Sequence, residues 1–273
     1  MTVKFTKMNG AGNDFIVIDN RDGRVALTPT QVAALCHRQR GIGADGVLLL
    51  LPSRHRRGDW AWDFYNSDGS VADMCGNGAR CFARFIQRLG LAGGGTSFET
   101  GAGVIAASFD GPWVTVGLTP PKELRLSRSV ELAGGVRMIH SINTGVPHAV
   151  LFVPDADKAM VESLGAEVRY HEMFAPKGTN VNFVQILKPG LIRVRTYERG
   201  VEGETLACGT GVAASGLVTA ALERWESPVR VQVQGGDELE VRFRPGAENW
   251  AFEDVQLKGP AEVVFEGSID LAT

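Results

Sequence analysis

The sequence has no long apolar run, no strong excess of charge of either sign, and only four cysteines among its 273 residues. No stretch approaches the ~18 apolar residues of a membrane-spanning helix, so we expect no membrane association. The formal net charge is −3 and the basic residues are scattered, which argues against nucleic acid and anionic membrane surfaces as partners. A small-molecule substrate is therefore the favoured partner class.

The N-terminal residues, 1–5, contain no apolar run of the kind that a secretory signal peptide needs. We therefore expect a cytoplasmic protein, in which cysteines are more typically catalytic or buried thiols than disulfides. Cys36 and Cys81 fit the pattern of buried small apolar residues. Cys75 and Cys81 lie six residues apart with no histidine at ligand spacing, so we expect no metal site.

Cys75 and Cys208 begin two nearly identical glycine-rich segments, about half the chain length apart. The segments read Cys75-Gly76-Asn77-Gly78-Ala79 and Cys208-Gly209-Thr210-Gly211-Val212, and helical spacing follows each of them. A sulfur at a helix start lies near the positive end of the helix dipole, which lowers a thiol pKa from its usual value of about 8.5. Either cysteine alone could be a buried helix cap. Two at equivalent positions indicate groups that act on one substrate from opposite sides, as stereoinversion by proton transfer requires.

Further matches in the same order indicate an internal duplication. Asn66 and Glu198 precede the two cysteine segments at corresponding positions, and glycine turns precede apolar runs at 15–18 and 149–153. This layout pairs His148 with Asn13. We place the domain boundary at Pro120-Pro121, with an N-terminal domain at 1–119, completed by 261–273, and a C-terminal domain at 120–260.

The apolar patterns predict a chain of many strands and few helices. Helices are expected at 28–38, 79–89, 158–164 and 212–223, and strands at 229–234, 239–243, 255–257 and 261–266. The helix at 212–223 is nearly uncharged and rich in alanine, which favours a central helix with a sheet wrapped around it. The segment Gly41–Gly46 matches G-x-G-x-x-G, but it precedes a strand instead of following one, so we interpret it as a turn.

Three blocks of this sequence resemble the signature segments of the diaminopimelate epimerase family. They are residues 7–15, residues 66–81 and residues 197–211. The resemblance implies an α+β fold of two similar domains related by pseudo-two-fold symmetry, each a β-barrel-like sheet wrapped around a central helix. It also implies an amino-acid epimerase without a cofactor that interconverts L,L- and meso-diaminopimelate, for lysine and cell-wall synthesis. A homodimer is an arrangement that the sequence allows.

The resemblance also assigns roles to particular residues of this chain. It implies that Cys75 and Cys208 are the acid and base pair, and that His148 and Glu198 tune them. It implies that the substrate is held by the side chains of Asn13, Asn66, Asn180, Glu198 and Arg199, and by main-chain donors at Gly76, Asn77, Gly209 and Thr210. Gly46 and Val146 stand where many members have glutamine and asparagine, so those two side-chain contacts are expected to be absent or replaced.

Two alternatives remain open at the level of sequence. Proline racemase also uses two cysteines, but its second motif runs Asp-Arg-Ser-Pro into the cysteine, where this chain has Glu204-Thr205-Leu206-Ala207. A redox or ligand-binding protein could instead use Cys75 and Cys208 as a switchable pair without turnover.

Overall fold

The computed structural model of the chain describes residues 1–247 and 251–271. Its contacts divide the chain into two compact units. The first comprises Met1–Val116 together with the C-terminal segment from Gly259, and the second comprises Gly117–Lys258.

The first unit is a sheet whose strands are connected at two places along the chain by helices. Its elements are β1 (Thr2–Gly10), β2 (Asn13–Asp19), α1 (Pro29–Cys36), β3 (Gly46–Pro52), β4 (Trp60–Asn66), α2 (Gly76–Arg88), β5 (Gly95–Thr100), β6 (Gly103–Asp110) and β7 (Trp113–Gly117). Successive strand pairs are antiparallel, parallel, antiparallel, parallel, antiparallel and antiparallel. The two parallel pairs are those that a helix connects, as a crossover requires.

The second unit repeats this pattern. Its elements are β8 (Lys122–Leu132), β9 (Gly135–Asn143), β10 (Pro147–Phe152), α3 (Val161–Arg169), β11 (Asn180–Lys188), β12 (Leu191–Glu198), β13 (Gly203–Thr205), α4 (Gly209–Glu223), β14 (Val229–Gln232), β15 (Glu238–Pro245) and β16 (Phe252–Pro260). From β9 onward, with the short β13 set aside, the pairs show the same order of parallel and antiparallel neighbours. The last strand, β17 (Glu262–Asp270), belongs to the first unit, where it pairs antiparallel with β1.

The central strands of each unit are buried on both faces. Residues 15–18 of β2 and 46–50 of β3 are all buried, which explains their continuous apolar sequence. One set of alternate residues packs with α1, as Ile16 and Val47 do with Val32. The other set, which includes Phe15, faces α2. The second unit packs Ala149 and Val181 with α3 in the same way.

The helices α2 and α4 are the central helices of their units. The helix α2 packs against β1, β2, β3, β5 and β6, and α4 packs against β9, β10, β11, β12, β14 and β15. Twelve of the fifteen residues of α4 are buried, which confirms the expectation from its uncharged sequence. Its small residues allow this close packing, since a Cβ at Gly216 would lie 3.0 Å from Val241. The predicted sheet around a central helix is thus found in both units.

Both central helices begin three residues earlier than the sequence patterns predict. The glycine-rich segments after Cys75 and Cys208 form the first turns of α2 and α4, which begin at Gly76 and Gly209. Glycine suits these positions because it has no side chain, so other groups can approach the backbone of the first turn closely. The expected helix at 158–164 was also misplaced, since a 3₁₀ turn occupies Ala156–Lys158 and α3 follows at Val161–Arg169.

The other predicted elements differ from the structure only at their ends, and the Gly41–Gly46 segment is a turn that enters β3, as expected. Across residues 1–247 and 251–271, no helix has both the length and the apolar character needed to cross a membrane.

Candidate active site

Each of the two cysteines caps the N-terminus of a central helix. Cys75 has an extended backbone, and its carbonyl accepts from the N–H of Ala79 at 2.8 Å. Cys208 has the same role at α4, where its carbonyl accepts from Val212 at 2.8 Å. The helix provides no internal partner for the N–H groups that directly follow each cysteine. Both helix starts therefore combine a thiol with main-chain donors suited to an anion such as a carboxylate.

Cys75 contacts an amide whose orientation is fixed. Its sulfur lies 3.5 Å from Oδ1 of Asn13 and accepts from the N–H of Gly78 at 3.5 Å. The amide nitrogen of Asn13 donates to the carboxylate of Asp45. Because a carboxylate can only accept, this bond determines which end of the Asn13 amide faces the sulfur.

A charged cluster holds Asp45 in place. Its Oδ1 accepts from Arg38 at 2.8 Å, and its Oδ2 accepts from the main-chain N–H of Asp14 at 3.1 Å. Asp14 in turn pairs with Arg38 and, at 2.8 Å, with the buried amine of Lys7. Burial raises the pKa of Asp14, but hydrogen bonds from Arg38 and Lys7 outweigh it and hold that pKa below its usual value. Asp14 therefore remains ionised at neutral pH, and the cluster holds the Asp45 carboxylate against the Asn13 amide.

A buried arginine lies beside the first turn of α2. Arg80 is fully buried, and its guanidinium donates to the carbonyls of Gly76 and Pro260 and, at 3.1 Å, to Oδ1 of Asn77. Its charge adds to the positive end of the helix dipole. The side chain of Asn77 is thus directed to Arg80, and its main-chain N–H belongs to the helix start.

In the second unit, a chain of polar side chains leads to Cys208. The sulfur lies 3.6 Å from Oγ1 of Thr210, and that oxygen lies 3.0 Å from Nε2 of His148. On the other side of the ring, Nδ1 of His148 lies 3.2 Å from the amide nitrogen of Asn182. His148 therefore contacts Thr210, which separates it from the sulfur.

His148 is a neutral imidazole in this setting. Only 1% of its surface is exposed. Burial, together with the positive charge of Arg199, lowers the pKa of His148 to about 3. Near neutral pH the ring carries one proton and has one donor and one acceptor nitrogen.

Asn180, Glu198 and Arg199 lie together at the ends of β11 and β12. The amide of Asn180 accepts from the main-chain N–H of Arg199 at 2.8 Å and donates to the carbonyl of Pro147 at 3.1 Å. Glu198 accepts from the hydroxyl of Thr205 at 2.9 Å. The guanidinium of Arg199 donates to the carbonyl of Lys177 at 3.4 Å. Asn180 therefore positions the backbone of Arg199.

The strand register corrects one pairing that we inferred from the sequence. Phe15 pairs with Gly46 in the first unit, and His148 pairs with Asn180 in the second. The counterpart of His148 is therefore Phe15 and not Asn13. The loop lengths account for this register, because four residues separate the paired residues Asn9 and Asp14, whereas three separate their counterparts Asn143 and Pro147.

Gly46 leaves no room for a side chain. A Cβ at this position would lie 2.6 Å from the carbonyl oxygen of Tyr65 and 2.9 Å from the ring of Phe64. Asn66, which pairs with Gly46, is exposed at the end of β4 and donates to Ser70 at 3.0 Å. Val146 lies in the turn before β10, where its carbonyl accepts from Thr144.

Several residues that support these helix starts were not among those predicted from the sequence. They are Lys7, Asp14, Arg38, Asp45, Arg80 and Asn182. Asn182 had a detectable signal, because it lies two residues after Asn180 in a strand and so shares its face. The other two cysteines are buried as predicted, and burial raises the pKa of Cys36 and of Cys81 to about 12.

Comparison with solved structures defines the class of fold. A phenazine biosynthesis protein of the PhzF family from Bacillus anthracis matches with a TM-score of 0.76, at 15% identity and 99% coverage of both chains. A probable proline racemase from Agrobacterium radiobacter matches with a TM-score of 0.74, at 18% identity, over 99% of this chain and 93% of that one. At such identities the likeness concerns the fold alone.

Sequence comparison identifies the family. The family model for diaminopimelate epimerase matches residues 5–123 and 140–256. The diaminopimelate epimerase of Hydrogenobaculum sp. is 45% identical over 276 residues, which cover 97% of each chain. That of Aquifex aeolicus is 44% identical over 282 residues, with 98% of each chain covered. The chain belongs to the diaminopimelate epimerase family.

Proposed function

We propose that this protein interconverts L,L- and meso-diaminopimelate by moving a proton at one α-carbon, without an added cofactor. The observation that carries the proposal is the pair of cysteines, each capping the glycine-rich start of a buried central helix. Membership of the diaminopimelate epimerase family indicates that diaminopimelate is the substrate. We further propose that the working domains are residues 1–119 with 261–273, and residues 120–260, and that the enzyme acts in the cytoplasm as a homodimer.

The reaction needs one thiolate and one thiol. The thiolate takes the α-proton, and the electron pair of the broken C–H bond moves toward the carboxylate. The thiol of the other cysteine then gives its proton to the opposite face of the carbon. The starting thiolate has become a thiol and the starting thiol a thiolate, so the pair is ready for the reverse reaction.

The α-hydrogen of an amino acid is a very weak acid, so the enolate-like charge must be stabilised. We propose that the main-chain donors at Gly76, Asn77, Gly209 and Thr210 bind the reacting carboxylate. Preorganised donors of this kind act most strongly where charge develops in the transition state. The buried charge of Arg80 supports this role at α2.

The remaining proposed contacts hold the substrate in position. Asn13, Asn66, Asn180, Glu198 and Arg199 are proposed to bind its charged and polar groups. Arg199 suits a carboxylate because a guanidinium can donate two parallel hydrogen bonds. An assay of purified protein with L,L-diaminopimelate tests the proposal, and formation of the meso isomer is the expected result. Racemisation of proline instead, or binding without turnover, would support one of the alternatives.

A further inference from the structure

Asn182 lies behind His148, at the end of the polar chain that leads to Cys208. It is fully buried in β11. Its amide nitrogen donates to the carbonyl of Ala149 at 2.9 Å, and its Oδ1 accepts from the hydroxyl of Thr196 at 3.0 Å. A carbonyl oxygen can only accept, so the nitrogen end of the amide must face Ala149.

The same nitrogen lies 3.2 Å from Nδ1 of His148. An N–H that points at Nδ1 requires that ring nitrogen to be the acceptor. The single proton of the neutral imidazole is then on Nε2, which donates to Oγ1 of Thr210 at 3.0 Å. The hydroxyl proton of Thr210 is left to point elsewhere, and Cys208 Sγ is 3.6 Å away.

We propose that Asn182 is a positioning residue, which selects the Nε2–H tautomer of His148 and so makes Thr210 a hydrogen-bond donor to Cys208. A donated hydrogen bond favours the thiolate over the thiol. The inference rests on the proposed function only for the role of the thiolate, which is the base of the epimerase. The experiments that test it do not depend on that function.

The two units differ in this respect. In the strand register, the positions of His148 and Asn182 correspond to Phe15 and Leu48 of the first unit. The first turn of α2 accordingly packs on a phenylalanine ring, and a Cβ at Gly78 would lie 3.3 Å from it. The first turn of α4 packs on Asn182, whose Oδ1 would overlap with a Cβ at Gly211. The polar chain therefore serves Cys208, and the apolar side chains of Phe15 and Leu48 occupy the corresponding positions of the first unit.

Nitrogen-15 NMR of histidine-labelled protein tests the tautomer directly, with the His148 signals assigned by loss in His148→Gln. We expect a protonated Nε2 and an unprotonated Nδ1 in the unmodified chain. A protonated Nδ1 would overturn the proposal, whatever any variant does.

Alkylation of Cys208 by iodoacetamide, followed by peptide mapping, tests the consequence. In Asn182→Leu, which has no N–H to donate, we expect alkylation at pH 7 to slow about tenfold, and its pH profile to shift upward by about one unit. Thr196→Val is the matched control. It removes the buried hydroxyl that donates to Oδ1 of Asn182, but it leaves the Asn182 N–H that faces His148. We therefore expect Cys208 in this variant to be alkylated at about the rate of the unmodified chain. Equal slowing in both variants, or none in Asn182→Leu, would overturn the proposal. Neither the NMR experiment nor the alkylation experiment uses substrate. Both can therefore be interpreted even if the epimerase assay fails.

Discussion

Nε2 of His148 and Oγ1 of Thr210 lie 3.0 Å apart in the interior of the second unit. Burial there holds the pKa of His148 near 3, well below the value of about 6.5 for an unfolded chain. Between these values the unfolded chain binds a proton that the folded chain does not. Stability therefore falls as the pH decreases from about 6.5 toward 3, with a slope of at most about 1.4 kcal/mol per pH unit from this one group.

We expect His148→Gln to remove this component of the pH dependence. Urea unfolding between pH 4.5 and pH 8 measures it, as the difference in slope between the variant and the unmodified chain. Contributions from carboxylates cancel in that difference. His55→Gln, at an exposed position, is the control and should keep the original slope. Parallel profiles for His148→Gln and the unmodified chain would show that His148 is not held neutral by burial.

Replacing either cysteine should abolish epimerisation and leave the fold intact. We expect Cys75→Ala and Cys208→Ala to lose at least about 10²-fold in kcat, because each thiol is proposed to serve one face of the carbon. Serine should fail as well, since a hydroxyl is too weak an acid to act as a base near neutral pH. Cys36→Ala is the matched control and should retain activity. Near-normal turnover by Cys75→Ala or Cys208→Ala, with circular dichroism unchanged, would rule out the two-base mechanism.

Arg199→Lys should lower kcat/KM about tenfold or more, because lysine cannot donate two parallel hydrogen bonds to a carboxylate. Thermal stability should change little, since the side chain makes one weak bond to the carbonyl of Lys177. Arg230→Lys, in an exposed ion pair with Glu238, is the control for a loss of guanidinium elsewhere. A drop in melting temperature with activity retained would make Arg199 a structural residue.

Asp45→Ala should lower kcat about tenfold, because the Asn13 amide loses the acceptor that orients it toward Cys75. Asp63→Ala removes a carboxylate from another ion pair with an arginine, Arg54, in the same unit, and should leave kcat near normal. Steady-state kinetics of the two variants make the comparison. Equal kcat values would mean that the Asp45 cluster does not support the site.

Some of this architecture could be predicted from sequence because it depends on local pattern. The uncharged, small-residue sequence of α4 predicts its burial, and the glycines after Cys75 and Cys208 mark the two helix starts. The support for those starts depends on which strands pair and in what register. Asp45 reaches Asn13 because β2 and β3 are parallel neighbours. The strand register, with one residue fewer in the loop before β10 than in the loop before β2, makes Phe15 and not Asn13 the counterpart of His148. No local pattern carries that information.

The conversion of L,L-diaminopimelate in deuterium oxide, with no cofactor added, tests the central claim most directly. We expect the meso isomer to form with one deuterium at the inverted α-carbon, because the proton that returns comes from a thiol exchanged with solvent. Absence of both conversion and deuterium incorporation, with substrate shown to bind, would contradict the account.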